Sequence, residues 1–150
     1  MRWINISSLN TVNLIRNLHK DTILIIDCYD KYYIYGRDCY IVYYFTEFKI
    51  YGKNNNKYIN NKIEYLNYLI KILKSNSINY MVLVKRQSYY VESSMFYDNN
   101  RYIYYYHKGK IKYKRNKEID YIIRKLRCNI LDNKVKIKYI KELIEGYDLW

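Results

Sequence analysis

Three carboxylates cluster around the end of one strongly apolar segment. Asp27 and Asp30 flank the end of the run Thr22–Cys28, and Asp38 follows closely. Carboxylates at the end of a strand could hold a divalent metal in a nuclease-like site. However, no E-x-K or D-x-D pattern accompanies them, and Asp38 is also placed to cap a helix. We therefore expect no metal and no catalytic residue here, and we interpret Asp27 and Asp30 as solvated loop residues.

The histidines and cysteines give no stronger indication of catalysis. His19 is predicted at a helix C-terminus and His107 at a hairpin turn, and neither has a Ser, Cys or Asp at nucleophile–base spacing. Cys28, Cys39 and Cys128 are too widely spaced for a C-x-x-C metal or redox motif, and their odd number does not indicate a disulfide framework. We expect surface histidines, small buried cysteines, no cofactor and no enzymatic activity.

A basic, tyrosine-rich stretch at Arg101–Lys117 is the strongest candidate for binding chemistry. It contains seven Lys or Arg and no acidic residue. Lys108-Gly109 is predicted to turn a hairpin between strands Arg101–His107 and Lys110–Lys114, which would align the lysines on one face. Lysines neutralise phosphates and tyrosine rings stack on unpaired bases. The alternative is a solvated edge strand that its lysines protect from aggregation.

Two further groups allow two interpretations each. Tyr29, Tyr32, Tyr33 and Tyr35 could form an aromatic platform, or alternate between core and surface. A second basic group would either extend a polyanion-binding surface or form the polar face of amphipathic helices. Its members are Arg124, Lys125, Arg127, Lys134, Lys136, Lys138 and Lys141.

The composition favours a basic protein whose partner is a polyanion. The 150 residues carry a formal net charge of +13, with 23 Tyr and no Pro. Abundant Ile, Lys, Asn and Tyr indicate an AT-rich genome, such as that of a low-GC Gram-positive bacterium, a mobile element or a large DNA virus, and this bias supplies part of the lysine content. No apolar run approaches the ~20 residues of a membrane helix, and no signal-peptide pattern is present. We expect a cytoplasmic protein.

Hydrophobic periodicity predicts a single α/β domain over residues 1–150, with a mixed sheet packed by helices. Strands 22–28 and 80–85 are expected at its centre. The segment 38–45 has strand propensity but could also be a helix that begins at Asp38. The remaining predicted elements are helices at 8–19, 62–75 and 117–147, extended segments at 31–35, 49–51 and 87–91, and a loop at 52–61.

The motif Tyr35-Gly36-Arg37-Asp38-Cys39 resembles the aromatic-Gly-x-Asp-Ala signature of the N-terminal, mismatch-recognition domain of MutS DNA repair proteins. The resemblance covers residues 20–95 and includes the element order strand, linker, helix, loop, helix, strand; residues 96–150 lie beyond it. It implies a helix at 38–45. It places Lys31 on the family's mismatch-wedging Phe and Tyr33 on its base-binding Glu, so both reading residues are replaced.

The resemblance implies a stand-alone, non-catalytic, nucleic-acid-binding module without the family's ATPase, because no G-x-x-x-x-G-K-[ST] loop is present. The alternative is a viral or mobile-element protein-interaction module with a Tyr-rich surface. The predicted nucleic-acid-binding residues are Lys31, Tyr32, Tyr33, Arg37, Arg101, Lys108, Lys110, Lys112, Lys114 and Arg115.

Overall fold

The computed structural model describes residues 3–4 and 8–132, with side chains over residues 11–129. Two compact units make up the chain, residues 1–113 and residues 114–150. The elements are β1 (Trp3–Ile4), α1 (Ser8–Leu18), β2 (Ile23–Asp27), β3 (Lys31–Tyr35), α2 (Asp38–Thr46), β4 (Tyr58–Lys62), α3 (Leu66–Ser75), β5 (Tyr80–Lys85), β6 (Tyr89–Met95) and α4 (Tyr102–Asp132). No helix among these residues is long and apolar enough to cross a membrane.

The first unit is an α/β domain built on a mixed six-stranded sheet with strand order β1-β6-β5-β2-β3-β4. The central strands β2 and β5 run parallel, with Ile23 opposite Tyr80, and every other pair is antiparallel. Both central strands are continuous β-branched and apolar runs, which is the composition of strands buried on two faces. The predictions of a mixed sheet and of its two central strands are therefore confirmed.

Helices cover both faces of the sheet, and the alternation of side chains along each strand divides the core in two. Ile23 and Ile25 of β2 face α2, α3 and the start of α4. Leu24 and Ile26 face α1, where Ile15 packs against them. Burial of each such side chain stabilises the fold by roughly 1.5–3 kcal/mol. α1 lies over β2, β5 and β6.

The predicted hairpin around Lys108-Gly109 is wrong, because that region belongs to the continuous helix α4. Within the first unit, Tyr102, Tyr105 and Gly109 are buried and Tyr113 is half-buried, which is helical spacing. Gly109 is not a turn residue; it allows α4 to contact the backbone of α2 at Tyr40. His107 consequently lies on a helix instead of at a turn.

Other predictions have mixed outcomes. The helix at 38–45 is confirmed as α2, but Arg37 occupies its N-cap position and makes no side-chain capping bond. The expected strand 49–51 contributes only an isolated bridge from Tyr51 to Tyr58, and the predicted loop 52–61 contains most of β4. Cys128 is exposed, contrary to prediction, whereas Cys39 is buried. The predictions over residues 133–147 lie outside the described residues.

Candidate functional site

One face of the β3–β4 pair presents tyrosines and lysines that no helix covers completely. Along β3, Lys31, Tyr33 and Tyr35 project to the side of the sheet that carries α1, while Tyr32 and Ile34 project into the opposite core. The antiparallel register pairs these three residues with Lys62, Asn60 and Tyr58 of β4. We call these six residues the tyrosine–lysine face. All six are at least partly exposed, and Tyr35 retains 41% of its surface.

The aromatic rings of this face form a contiguous strip. Tyr33 and Tyr35 are stacked, with ring centroids 6.1 Å apart and planes 10° apart. Tyr58 continues the strip at 6.3 Å from Tyr35, and Tyr51 stacks on Tyr58 at 5.5 Å. Rings arranged in this way offer apolar, π-rich surface to a flat ligand.

Lys31 and Lys62 lie directly opposite each other at one end of the face. Both are exposed, and among the described residues neither forms an ion pair with a carboxylate. Like charges directly opposite across two strands are destabilising. This pair therefore costs free energy in the unbound protein, and a bound anion would reduce that cost.

A groove of about 800 Å³ lies beside the face, bounded by α1, the Tyr35–Arg37 turn and the loop before β4. Arg16, Arg37, Lys57 and Lys85 are its cationic lining residues, and no Asp or Glu of the described chain lines it. Tyr35 and Tyr58 are shared between the groove and the tyrosine–lysine face. The two features therefore form one continuous surface that is both aromatic and basic.

A polar network around the buried carboxylate of Asp38 joins the two arginines at the groove wall. The carboxylate of Asp38 is fully buried and accepts hydrogen bonds from both terminal nitrogens of Arg16 at 3.2 Å and from the backbone N–H of Leu24 at 3.0 Å. It also accepts a short hydrogen bond from the hydroxyl of Tyr102. Arg37 donates to the Tyr102 hydroxyl at 3.2 Å and pairs with Asp21 at 2.9 Å. The network therefore joins α1, β2, α2 and the start of α4.

The titration of these groups follows from their burial. Removal from water raises the pKa of the Asp38 carboxyl, and the adjacent Arg16 guanidinium opposes that rise. Burial also raises the pKa of the Tyr102 hydroxyl, and the neighbouring Asp38 raises it further. Because Asp38 and Asp21 offset the charges of Arg16 and Arg37, the lysines supply most of the unbalanced positive charge of the groove.

The structure brings together only some of the predicted binding residues. Lys31 and Tyr33 belong to the tyrosine–lysine face, and Arg37 lines the groove. Tyr32 was predicted as a binding residue, but its side chain is completely buried, so it cannot contact a ligand. Tyr29, 78% exposed, stacks with Arg86 instead of joining the strip. The four tyrosines therefore alternate between core and surface, and only Tyr33 and Tyr35 belong to the aromatic strip.

The predicted basic strip of Arg101–Lys117 does not exist as a single face. A helix rotates successive residues by about 100°, so lysines two positions apart point in different directions. Arg101 lies over the rings of Tyr104 and Tyr105. Lys112 pairs with Glu47 at 3.2 Å and donates to the Tyr44 carbonyl. The remaining predicted residues are exposed along α4, namely Lys108, Lys110, Lys114 and Arg115.

Sequence reasoning missed Tyr58, Lys62, Lys57 and Lys85. Lys57 and Tyr58 belong to the segment 52–61 that was predicted as a loop, where Tyr58-Ile59-Asn60 gave only a weak alternating signal, and Lys62 was predicted as the first residue of the helix 62–75. Lys85 is the last residue of a predicted strand, but it lines the groove only because β5 lies beside β2. Local sequence patterns do not show which strands of a sheet will lie side by side.

The carboxylates and histidines named from the sequence have structural contacts. Asp27 accepts a hydrogen bond from the Tyr29 N–H at 2.8 Å and lies 3.9 Å from Arg86. His19 stacks on Phe96, with ring centroids 5.5 Å apart. In the part of the chain that the structure describes, no three His, Cys, Asp or Glu residues form a group that could hold a metal ion.

Comparison with known proteins gives no match, either to a protein-family model or to a curated protein.

Proposed function

We propose that this chain is a non-catalytic, nucleic-acid-binding module that resembles the MutS mismatch-recognition domain and binds through the tyrosine–lysine face. One observation carries the proposal: Lys31 and Lys62 lie opposite each other, without a carboxylate partner among the described ion pairs, on the same sheet face as the stacked tyrosines.

The charges of the face explain its affinity for a phosphate backbone. Each lysine that neutralises a phosphate releases a condensed counterion, and this release favours binding at low salt. A phosphate between Lys31 and Lys62 would also replace their mutual repulsion with two attractions. The net charge of +13 adds long-range attraction that raises the association rate.

The element order supports the resemblance on which the proposal draws. β2, β3, α2, α3 and β5 occur in the expected order over residues 20–95, although β4 lies between α2 and α3, where a loop was expected. Lys31, at the position of the family's wedging Phe, is exposed beside the stacked Tyr33 and Tyr35. We propose that this position contacts phosphate instead of wedging between bases.

Fluorescence anisotropy over a salt series tests the proposal, with matched duplex, mismatched duplex and single-stranded DNA as probes. We expect the affinity to fall steeply as salt rises. The double variant Lys31→Gln and Lys62→Gln should weaken binding and reduce the slope of log K against log salt by about 0.7–0.9 for each lysine.

The matched control is Lys71→Gln with Lys74→Gln, which removes the same charge from exposed positions of α3 on the other side of the sheet. It should change the affinity much less. An affinity that does not respond to salt, or an equal loss in both double variants, would contradict binding at this face.

A protein-interaction module is the second candidate, because apolar side chains are exposed on the part of α4 that lies in the second unit. Ile119, Tyr121, Ile122 and Ile123 each retain between 41% and 59% of their surface. Such residues are typical of interface cores. In this case the Lys31 and Lys62 variant would leave partner binding unchanged.

A further inference from the structure

We infer that the groove beside the tyrosine–lysine face selects single-stranded nucleic acid, with unpaired bases on Tyr35 and Tyr58 and phosphate on Lys85. The inference rests on the proposed function and specifies its substrate class. It depends on a different feature of the surface, namely two cross-strand tyrosines that line a basic concavity.

The tyrosine rings can recognise only bases that are not already stacked and paired. Tyr35 and Tyr58 are cross-strand partners on a sheet face, with ring centroids 6.3 Å apart, and both line the groove. A duplex keeps its bases inside, whereas a single strand can place them on aromatic side chains of a sheet. Each such stacking contact contributes roughly 1–3 kcal/mol and tolerates any base.

Lys85 is placed to hold the backbone of the same strand. Lys85 alternates along β5 with Leu83 and Met81, so it projects to the face that carries α1, as Tyr35 and Tyr58 do. Its ammonium lies 5.8 Å from the Tyr89 ring centroid. The Lys57 ammonium instead donates to the Tyr40 hydroxyl at 3.0 Å, on the side of the sheet that carries α2.

The shape and charge of the groove fit an anionic, aromatic ligand. Its volume of about 800 Å³ is within the range of pockets that hold whole small ligands. Its arginines are already paired with Asp21 and Asp38, whereas no described ion pair joins Lys85 to a carboxylate. An acidic protein segment would neutralise the positive charge of the groove but would not use the aromatic rings of Tyr35 and Tyr58.

The test compares fluorescein-labelled oligothymidine with a hairpin duplex that has the same number of phosphates. We expect the wild-type protein to bind the single strand more tightly. Tyr35→Thr with Tyr58→Thr should lower single-strand affinity about tenfold or more, since 1.4 kcal/mol corresponds to tenfold, with little effect on the duplex. Tyr35→Phe with Tyr58→Phe retains the rings and should retain the preference.

The matched control is Tyr65→Thr with Tyr68→Thr, which removes two exposed rings outside the groove. Thermal unfolding of each variant by circular dichroism shows whether it is folded, and the strand preference of the wild-type protein still tests the inference if the Thr variant does not fold. Binding without strand preference, or an unchanged affinity of a folded Thr variant, overturns this inference and leaves the proposed function intact. No binding to either probe overturns both.

Discussion

Gly109 of α4 and Tyr40 of α2 are in direct backbone contact. A Cβ at Gly109 would lie 1.9 Å from the carbonyl oxygen of Tyr40 and 2.6 Å from its carbonyl carbon. No pair of heavy atoms tolerates such distances, and backbone atoms cannot move aside as a flexible side chain can. The glycine therefore sets the closest approach of the two helices within the first unit.

Gly109→Ala should destabilise the protein. Alanine is better than glycine in a helix by about 1 kcal/mol, but the clash with Tyr40 forces the helices apart, and overpacking of this kind costs typically 1–3 kcal/mol or more. Urea unfolding followed by circular dichroism measures the difference. Lys108→Ala, at the exposed neighbouring position, should remain within about 0.5 kcal/mol of wild type. A Gly109→Ala protein as stable as wild type would contradict the helix contact.

The same residue shows why part of the fold could not be predicted from the sequence. Lys108-Gly109 between tyrosine-rich segments has the composition of a hairpin, and glycine is as suitable for a turn as for a close helix contact. The stripe of Tyr102, Tyr105, Gly109 and Tyr113 was a helical signal, but only the position of α2 explains the glycine in it. By contrast, the long apolar runs of β2 and β5 were sufficient to predict both central strands.

Only the part of the candidate site that lies on the single strand β3 could be predicted from the sequence. The alternation of Lys31, Tyr33 and Tyr35 is visible in the sequence, although the fully buried Tyr32 was wrongly included. Tyr58 and Lys62 complete the face through the register of β3 with β4, and that pairing is set by long-range packing. A single sequence does not report such packing.

Asp38→Asn should be strongly destabilising. The buried carboxylate is the only acid that pairs with Arg16 among the described ion pairs, and removal of one partner of a buried pair costs about 3–5 kcal/mol. Tyr102→Phe removes one hydrogen bond to the same carboxylate and should cost about 1–3 kcal/mol. Urea unfolding measures both, and the double variant should show a coupling energy above about 0.5 kcal/mol. Asp98→Asn, at an exposed loop position, is the control; equal effects at both aspartates would refute the role of the network.

The three cysteines should differ in reactivity towards a thiol reagent. Burial raises the pKa of the Cys39 thiol to about 12, and this thiol donates to the Ile34 carbonyl at 3.3 Å. Burial also raises the pKa of Cys28, whereas Cys128 is exposed. Because the thiolate is the nucleophile, we expect Cys128 to react first at mildly alkaline pH and Cys39 to react only after unfolding. Mass spectrometry after timed alkylation identifies the sites, and Cys128→Ser should abolish the fast phase. Fast modification of Cys39 in the native protein would refute its burial.

Alkaline pH should destabilise the fold through Tyr32. Burial raises its pKa from 10.0 to about 12, so the native state keeps a proton that the unfolded state releases. The resulting stabilisation is complete below about pH 10 and is lost as pH rises towards 12, at about 1.4 kcal/mol for each pH unit. Tyr32→Phe should reduce this pH dependence, whereas Tyr29→Phe, at an exposed position, should not. Denaturant unfolding at several alkaline pH values measures the slopes, and equal slopes in all three proteins would show that Tyr32 titrates normally.

Lys62→Glu should stabilise the unbound protein and weaken its binding to nucleic acid. The substitution replaces repulsion from Lys31 with attraction, and cross-strand charge pairs contribute roughly 0.2–1 kcal/mol. It also removes a phosphate contact and adds a repulsive charge on the tyrosine–lysine face. Lys71→Glu makes the same change of net charge at an exposed position of α3, so it should show neither effect to the same degree. Thermal unfolding and fluorescence anisotropy of the two variants measure the two effects separately. If Lys62→Glu lowers both stability and affinity, the lysine supports the fold. If the substitution raises stability and lowers affinity, the fold tolerates a repulsive pair because the pair serves binding.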